Sequence, residues 1–199
     1  MSRPVENALA DRLARGDERI GQITIARVPE GWELRHEEDA GRTDLTPHTQ
    51  PEAARQLANF DADGNFRPLK TTPTLLRGWR LVLAEIAAVR RALDYFYPAM
   101  TGIWFSHTRG ELVPVVLRET LARQTGMYRV TQKLTDEQAH ELINSVCAGC
   151  LKHRLWEITT ANPTPPANPA GSLPLLCHEA CNLLVAKGRA VVKKAEPAA

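Results

Sequence analysis

The chain has 199 residues, 43% of them hydrophobic, enough for one sizeable domain or two small ones. Its 25 Lys and Arg against 23 Asp and Glu leave a net charge of +2, which gives no reason to expect nucleic acid or an acidic membrane surface as the main partner. No apolar run approaches the ~18 residues that a membrane span needs, and the polar start MSRPVENALADRLARGDER lacks a secretory pattern, so a cytoplasmic protein is expected.

In chain order, Val5, Leu9 and Leu13 recur every four residues ahead of Gly16, which predicts a short amphipathic helix over 5–15. Ile20, Ile23, Ile25 and Val28 alternate imperfectly before Pro29-Glu30-Gly31, and Trp32 to His36 continue in the same manner, a β-hairpin over 20–37. Residues 38–48 read as loop. Thr49-Gln50-Pro51-Glu52 has the form of a capping box and opens a helix over 50–59. The DADGN stretch at 61–65 resembles the start of a calcium loop, but Phe66 stands where that loop needs glycine and Thr72 where it needs a bidentate glutamate. It reads as a polar turn.

The apolar spacing of Leu75, Trp79, Val82, Leu83, Ile86, Val89, Leu93 and Phe96 predicts one long helix over 73–96, with Arg77, Arg80, Arg90 and Arg91 on its solvated face. Residues 99–110 mix aromatic and turn residues. A helix follows over 114–124, YRVTQKL alternates as a candidate strand, and Thr135-Asp136-Glu137-Gln138 is a second capping box. RLWEITT has strand character, and the proline-rich stretch 161–171 is a stiff surface loop.

The chemistry lies in the four cysteines, all that the chain has: Cys147 and Cys150 in CAGC, Cys177 and Cys181 in CHEAC. The i,i+3 and i,i+4 spacings place two sulfurs on one helical face in each pair, and the second face continues through Leu184, Gly188 and Val191 or Val192. Twenty-six residues separate the pairs, a loop whose closure cost grows only logarithmically with length. In a reducing compartment such pairs are metal ligands more often than disulfides. Spacing leaves zinc (Zn2+) and an iron–sulfur cluster both open; Leu151 after Cys150, and the apolar helix opened by Asn182 after Cys181, favour iron–sulfur. Four thiolates on one iron–sulfur centre argue for electron transfer, redox sensing or structure. Lys152, His153, Arg154, Lys187 and Arg189 are candidate cations near it.

LRETLARQTGMYRVT, CAGCLKHRLWEI and LPLLCHEACNLLVAKGR, with HEEDAG, NFDADGNFRPLKTTPTLLRGW and ALDYFYPA upstream, resemble the C-terminal half of sirohydrochlorin cobaltochelatase-like (CbiX-like) proteins. In that family chelatase domains precede a stabilising domain and a [4Fe–4S]-binding domain. The resemblance spans about residues 20–190 and implies a [4Fe–4S] cluster on Cys147, Cys150, Cys177 and Cys181. It implies no chelatase site here, because the family's paired metal-binding histidine and glutamate residues have no counterpart in this sequence.

The expected architecture is α+β in two small domains, a stabilising-type helix and hairpin domain at 1–125 and a cluster-binding domain at 126–199. The expected function is that of an iron–sulfur protein, not an enzyme alone, that passes or senses electrons for a protein redox partner or a chelatase-type enzyme in tetrapyrrole or cobalamin-type metabolism. The alternative is a structural zinc module for protein interaction. A third reading places a substrate site on the first domain at Tyr95-Phe96-Tyr97 and Trp104-Phe105.

Overall fold

A computed structural model describes residues 3–66, 75–147, 150, 171–174, 177 and 179–195. The chain is α+β and divides into two compact units, Met1–Glu111 and Leu112–Ala199. The division falls ahead of the 125/126 boundary expected from sequence because Leu117 and Leu121 belong to the core of the second unit, with Val115 packed against it. Among the described residues no helix is long and apolar enough to cross a membrane.

The first unit contains β1 (Glu18–Ile20), β2 (Ile23–Val28), β3 (Gly31–His36), β4 (Thr46–His48) and β5 (Trp79–Leu83). They form one sheet in the order β1-β2-β3-β5-β4, antiparallel except for the parallel pair β4 and β5. The expected hairpin is β2 and β3, joined at Val28 and Gly31. Ile25, Leu34 and Leu81 stand in register across three strands and all three are buried, so period-two alternation fixes which face is covered. Gly31 has φ +136°, and a Cβ there would lie 2.2 Å from the Leu83 carbonyl oxygen. Only glycine lets the two strands approach so closely.

Among the described residues four helices accompany the sheet: α1 (Arg3–Leu13), α2 (Ala53–Leu57), α3 (Ile86–Phe96) and α4 (Met100–Thr108). α1 packs on β2, α3 and α4, and α3 packs on β5. Leu9, Leu13, Val89, Leu93 and Phe96 are buried there, and the Trp79 and Phe96 rings stack at 5.0 Å.

The long helix expected over 73–96 is, among its described residues, a strand followed by a helix. Trp79, Leu81 and Leu83 are buried while Arg80 is exposed, a period of two. Main-chain pairing of β5 with β3 on one side and β4 on the other overrides an apolar spacing that fits a helix as well. Two further elements were expected as loop or turn. Residues 38–48 contain β4, after a 3-10 turn at Glu37–Asp39, and 99–110 contain α4. The start of α4 is held by Asp94 on α3, whose carboxylate accepts from the Thr101 amide at 3.0 Å and its hydroxyl at 2.7 Å. The helix expected over 50–59 is the short α2, and Glu52 before it makes no side-chain cap bond. The turn at 61–65 is closed by Asp61, whose Oδ1 accepts from the amides of Asp63 and Asn65 at 3.0 and 2.9 Å.

Ala99, between α3 and α4, has φ +61°, where a side chain clashes with its own backbone. Ala99→Gly is therefore expected to stabilise the first unit by about 1 kcal/mol, read as a higher denaturant midpoint at unchanged slope.

His36 is buried; its Nδ1 accepts from the Glu38 amide at 3.1 Å, and its buried Nε2 has no hydrogen-bond partner among the described residues. Burial lowers its pKa from the ordinary 6.5, against Glu38, Asp39 and Glu37, which raise it, and with Arg77, which lowers it further. The folded value is the lower one, so its contribution to stability is complete above 6.5 and declines as pH falls towards the folded value. Unfolding titrations between pH 7.5 and 4.5 should show this decline, and His36→Asn should flatten it.

The second unit contains α5 (Leu117–Ala122), a 3-10 helix (Gly126–Lys133), α6 (Asp136–Cys147) and α7 (Asn182–Ala195). The 3-10 helix replaces the expected strand at YRVTQKL: Thr131 Oγ1 donates to the Tyr128 carbonyl at 2.8 Å, closing the backbone within one turn. The expected strand RLWEITT and the proline-rich loop, apart from Gly171, lie outside the described residues.

Candidate metal centre

α6 begins where the sequence says it should. The Gln138 amide donates to Thr135 Oγ1 at 3.2 Å and the Thr135 amide donates to Gln138 Oε1 at 2.9 Å, the reciprocal bonds of a capping box. From there Ala139, Leu142 and Ile143 enter the core, and the helix delivers Cys147 as its last residue. α7 lies against α6 and the 3-10 helix. Leu184, Gly188 and Val192 form its buried face, as the sequence pattern predicts. A Cβ on Gly188 would sit 3.2 Å from Leu142 and 3.3 Å from Leu134, so the two helices cross closely at this glycine.

Ahead of α7, residues 171–173 are held to the core by main-chain bonds that the sequence does not advertise. Val116 and Ser172 form an isolated bridge. The Leu117 amide donates to the Gly171 carbonyl at 3.0 Å and the Leu173 amide to the Val115 carbonyl at 2.8 Å. Leu173 joins the core, which brings Cys177 back towards α6.

All four cysteines are half-buried, and Cys147, Cys177 and Cys181 pack against the core formed by Leu117, Leu121, Leu142 and Leu184. The Cys150 amide donates to the Cys147 carbonyl at 3.0 Å. Both pairs depart from the expected shared helical face: α6 ends at Cys147 and Cys150 is not helical, and Cys177 and Cys181 do not share a helix. Cys177 lies in the preceding segment, its amide bonded to the Pro174 carbonyl. Cys181 is the residue before α7, its carbonyl accepting from Val185 at 3.0 Å and its Sγ from the Leu184 amide at 3.4 Å. A thiol thus takes the N-cap position usually held by Ser, Thr, Asp or Asn, and i,i+4 spacing alone gives no sign of it.

Burial pushes the Cys147 thiol up to about 12, with the charges of Cys177, Cys150 and Cys181 adding to the effect. The other three cysteines therefore lie within electrostatic reach of Cys147, and thiols grouped in this way are the donors of a thiolate metal centre. Among the described residues no three His, Cys, Asp or Glu side chains are gathered tightly enough to hold a metal ion, so the thiols stand as neighbours rather than as a closed chelate. The donor set fits a group that takes one thiolate at each of four irons.

Of the candidate cations, Lys187 is exposed. The Arg189 guanidinium lies over the Tyr128 ring at 5.6 Å and donates to Met127 Sδ at 3.5 Å. Lys152, His153 and Arg154 lie outside the described residues. In the first unit Phe96, Tyr97 and Trp104 are core residues. Tyr95 borders an open groove of about 450 Å³ whose Arg90 pairs with Glu6 and Asp94.

Comparison with known proteins divides the chain at nearly the same place as its contacts do. The family model of the DR2241 stabilising domain matches residues 6–108, and that of a 4Fe-4S iron-sulfur cluster binding domain matches residues 109–190. Among solved structures the chain is similar to DR2241 from Deinococcus radiodurans, with 36% identity and a TM-score of 0.76 over 95% of this chain. That protein is described as multi-domain, with structural similarity to chelatases but also with two additional novel domains, and this chain spans 41% of it. No curated protein matches the sequence.

Proposed function

Because this chain belongs to the family of the DR2241 stabilising domain and joins that domain to a 4Fe-4S iron-sulfur cluster binding domain, we propose that it is a cluster-carrying accessory protein that passes or senses electrons for a protein partner. Cys147, Cys150, Cys177 and Cys181 are the ligands. The carrying observation is that Cys147, Cys177 and Cys181 pack against one core while the Cys150 amide bonds to the Cys147 carbonyl, in a chain with no other cysteine. Four thiolates take all four irons of a cubane and leave none open to a substrate, which supports an electron-transfer or sensing role over direct catalysis by the cluster.

The partner is a chelatase-type enzyme, and the setting is tetrapyrrole or cobalamin-type metabolism in the reducing cytoplasm. Two things support this: the similar structure is described as chelatase-like with additional domains, and this chain corresponds to a minor part of it. The residues here bind and orient the cluster. A chelatase brings its own metal-binding groups.

Anaerobic purification with iron, sulfide and zinc measured on one sample tests the reading. A brown protein with a broad band near ~400 nm and about four irons and four sulfides per chain is the expected result. A colourless chain holding one zinc, and refusing reconstitution with iron and sulfide, would overturn it.

A further inference from the structure

The four sulfurs are not equivalent. Cys147 ends α6 and Cys181 precedes α7. The two helices run antiparallel: Gly188 lies against Leu142, and seven residues back from one and five on from the other, Cys181 and Cys147 pack against the same core. The C-terminal end of a 12-residue helix and the N-terminal end of a 14-residue helix therefore meet at the cysteines. Such ends carry roughly −0.5 and +0.5 of a charge. Neither is offset by its own side chains, since α6 has no basic residue in its last turn and α7 no acidic residue in its first.

An independent observation points the same way. The Leu184 amide donates to Cys181 Sγ at 3.4 Å, and Leu184 is 1% exposed, so the bond is anchored by the core. Among the described residues no group donates to Cys147 Sγ. An amide donor draws electron density from a cysteinyl sulfur and favours the reduced cluster, more so where water is excluded.

We propose that the centre is electronically polarised along the α6 and α7 pair: an added electron is drawn towards the Cys181 side, and the Leu184 amide raises the reduction potential. This rests on the cluster-carrying reading above. The change is a one-electron reduction by an external donor such as dithionite, with no covalent bond made or broken in the protein.

The test is a redox titration of the full chain, reconstituted anaerobically, with Leu184 replaced by its α-hydroxy acid. The resulting backbone ester keeps the side chain and deletes the N–H. The same replacement at Val191, in the middle of α7, is the control. At a fixed donor potential the reduced-to-oxidised ratio should fall about tenfold in the Leu184 ester, equivalent to about 59 mV for one electron, and change little in the Val191 ester. Equal potentials in both would overturn the proposal while leaving the cluster itself in place, whereas a chain that takes up no iron would overturn the underlying reading as well. Should the Leu184 ester fail to load, electron–nuclear double resonance on the reduced wild-type chain labelled with 15N-leucine decides. An exchangeable proton and a leucine nitrogen coupled to the cluster are expected, and the absence of both would overturn the proposal.

Discussion

Cys147→Ser is expected to lower bound iron from about four atoms per chain to less than about one, and to remove amide protection throughout α5, α6 and α7 while the first unit keeps its own. Among the described residues the second unit's core comprises nine buried side chains, Leu117 and Leu142 among them, and Cys147 packs against it. Metal binding to thiolates is folding free energy in small metal-binding domains, and Cys147→Ser removes one of the four thiolates. Hydrogen exchange resolved by peptide, with iron counted on the same sample, checks both halves. A serine chain that retained iron and protection would remove Cys147 from the ligand set.

Gly31→Ala should be the most damaging single-methyl change in the first unit, costing about 3–5 kcal/mol as strain and overpacking combine. The added carbon would meet the Leu83 carbonyl oxygen at 2.2 Å and the Ala84 Cα at 2.7 Å. Both are backbone and cannot swing aside, so β3 and β5 must part. Gly41→Ala separates the two contributions, because Gly41 has φ +78° but nothing within 4 Å of the new carbon; it should cost only ~1 kcal/mol. Urea unfolding of the two variants measures the difference, and equal losses would mean that the β3 and β5 contact is not what the glycine protects.

What could be read from the sequence was what depends on local chemistry. The cysteine pairs, the hairpin around Pro29-Glu30, the α7 face of Leu184, Gly188 and Val192, and the Thr135 capping box each declare themselves within a dozen residues. What could not be read depends on partners far along the chain. Trp79, Leu83, Ile86 and Phe96 happen to fall at helical intervals, and only pairing with β3 makes the first part a strand. The Thr49 to Glu52 box has the right letters, but Glu52 makes no cap bond. The bridge between Val116 and Ser172, which returns Cys177 to the core, rests on backbone groups and leaves no signature in side chains. The Leu184 amide at Cys181 is invisible for the same reason.

The order of the sheet bears on how this protein behaves at high concentration. Its outer strands are β1 and β4, each of three residues, and Pro47 stands in the middle of β4. Proline offers no N–H, and three residues give a foreign strand little to align with. The sheet is thus a poor template for self-propagating, amyloid-like growth, and strand addition is a poor route for recruiting another chain.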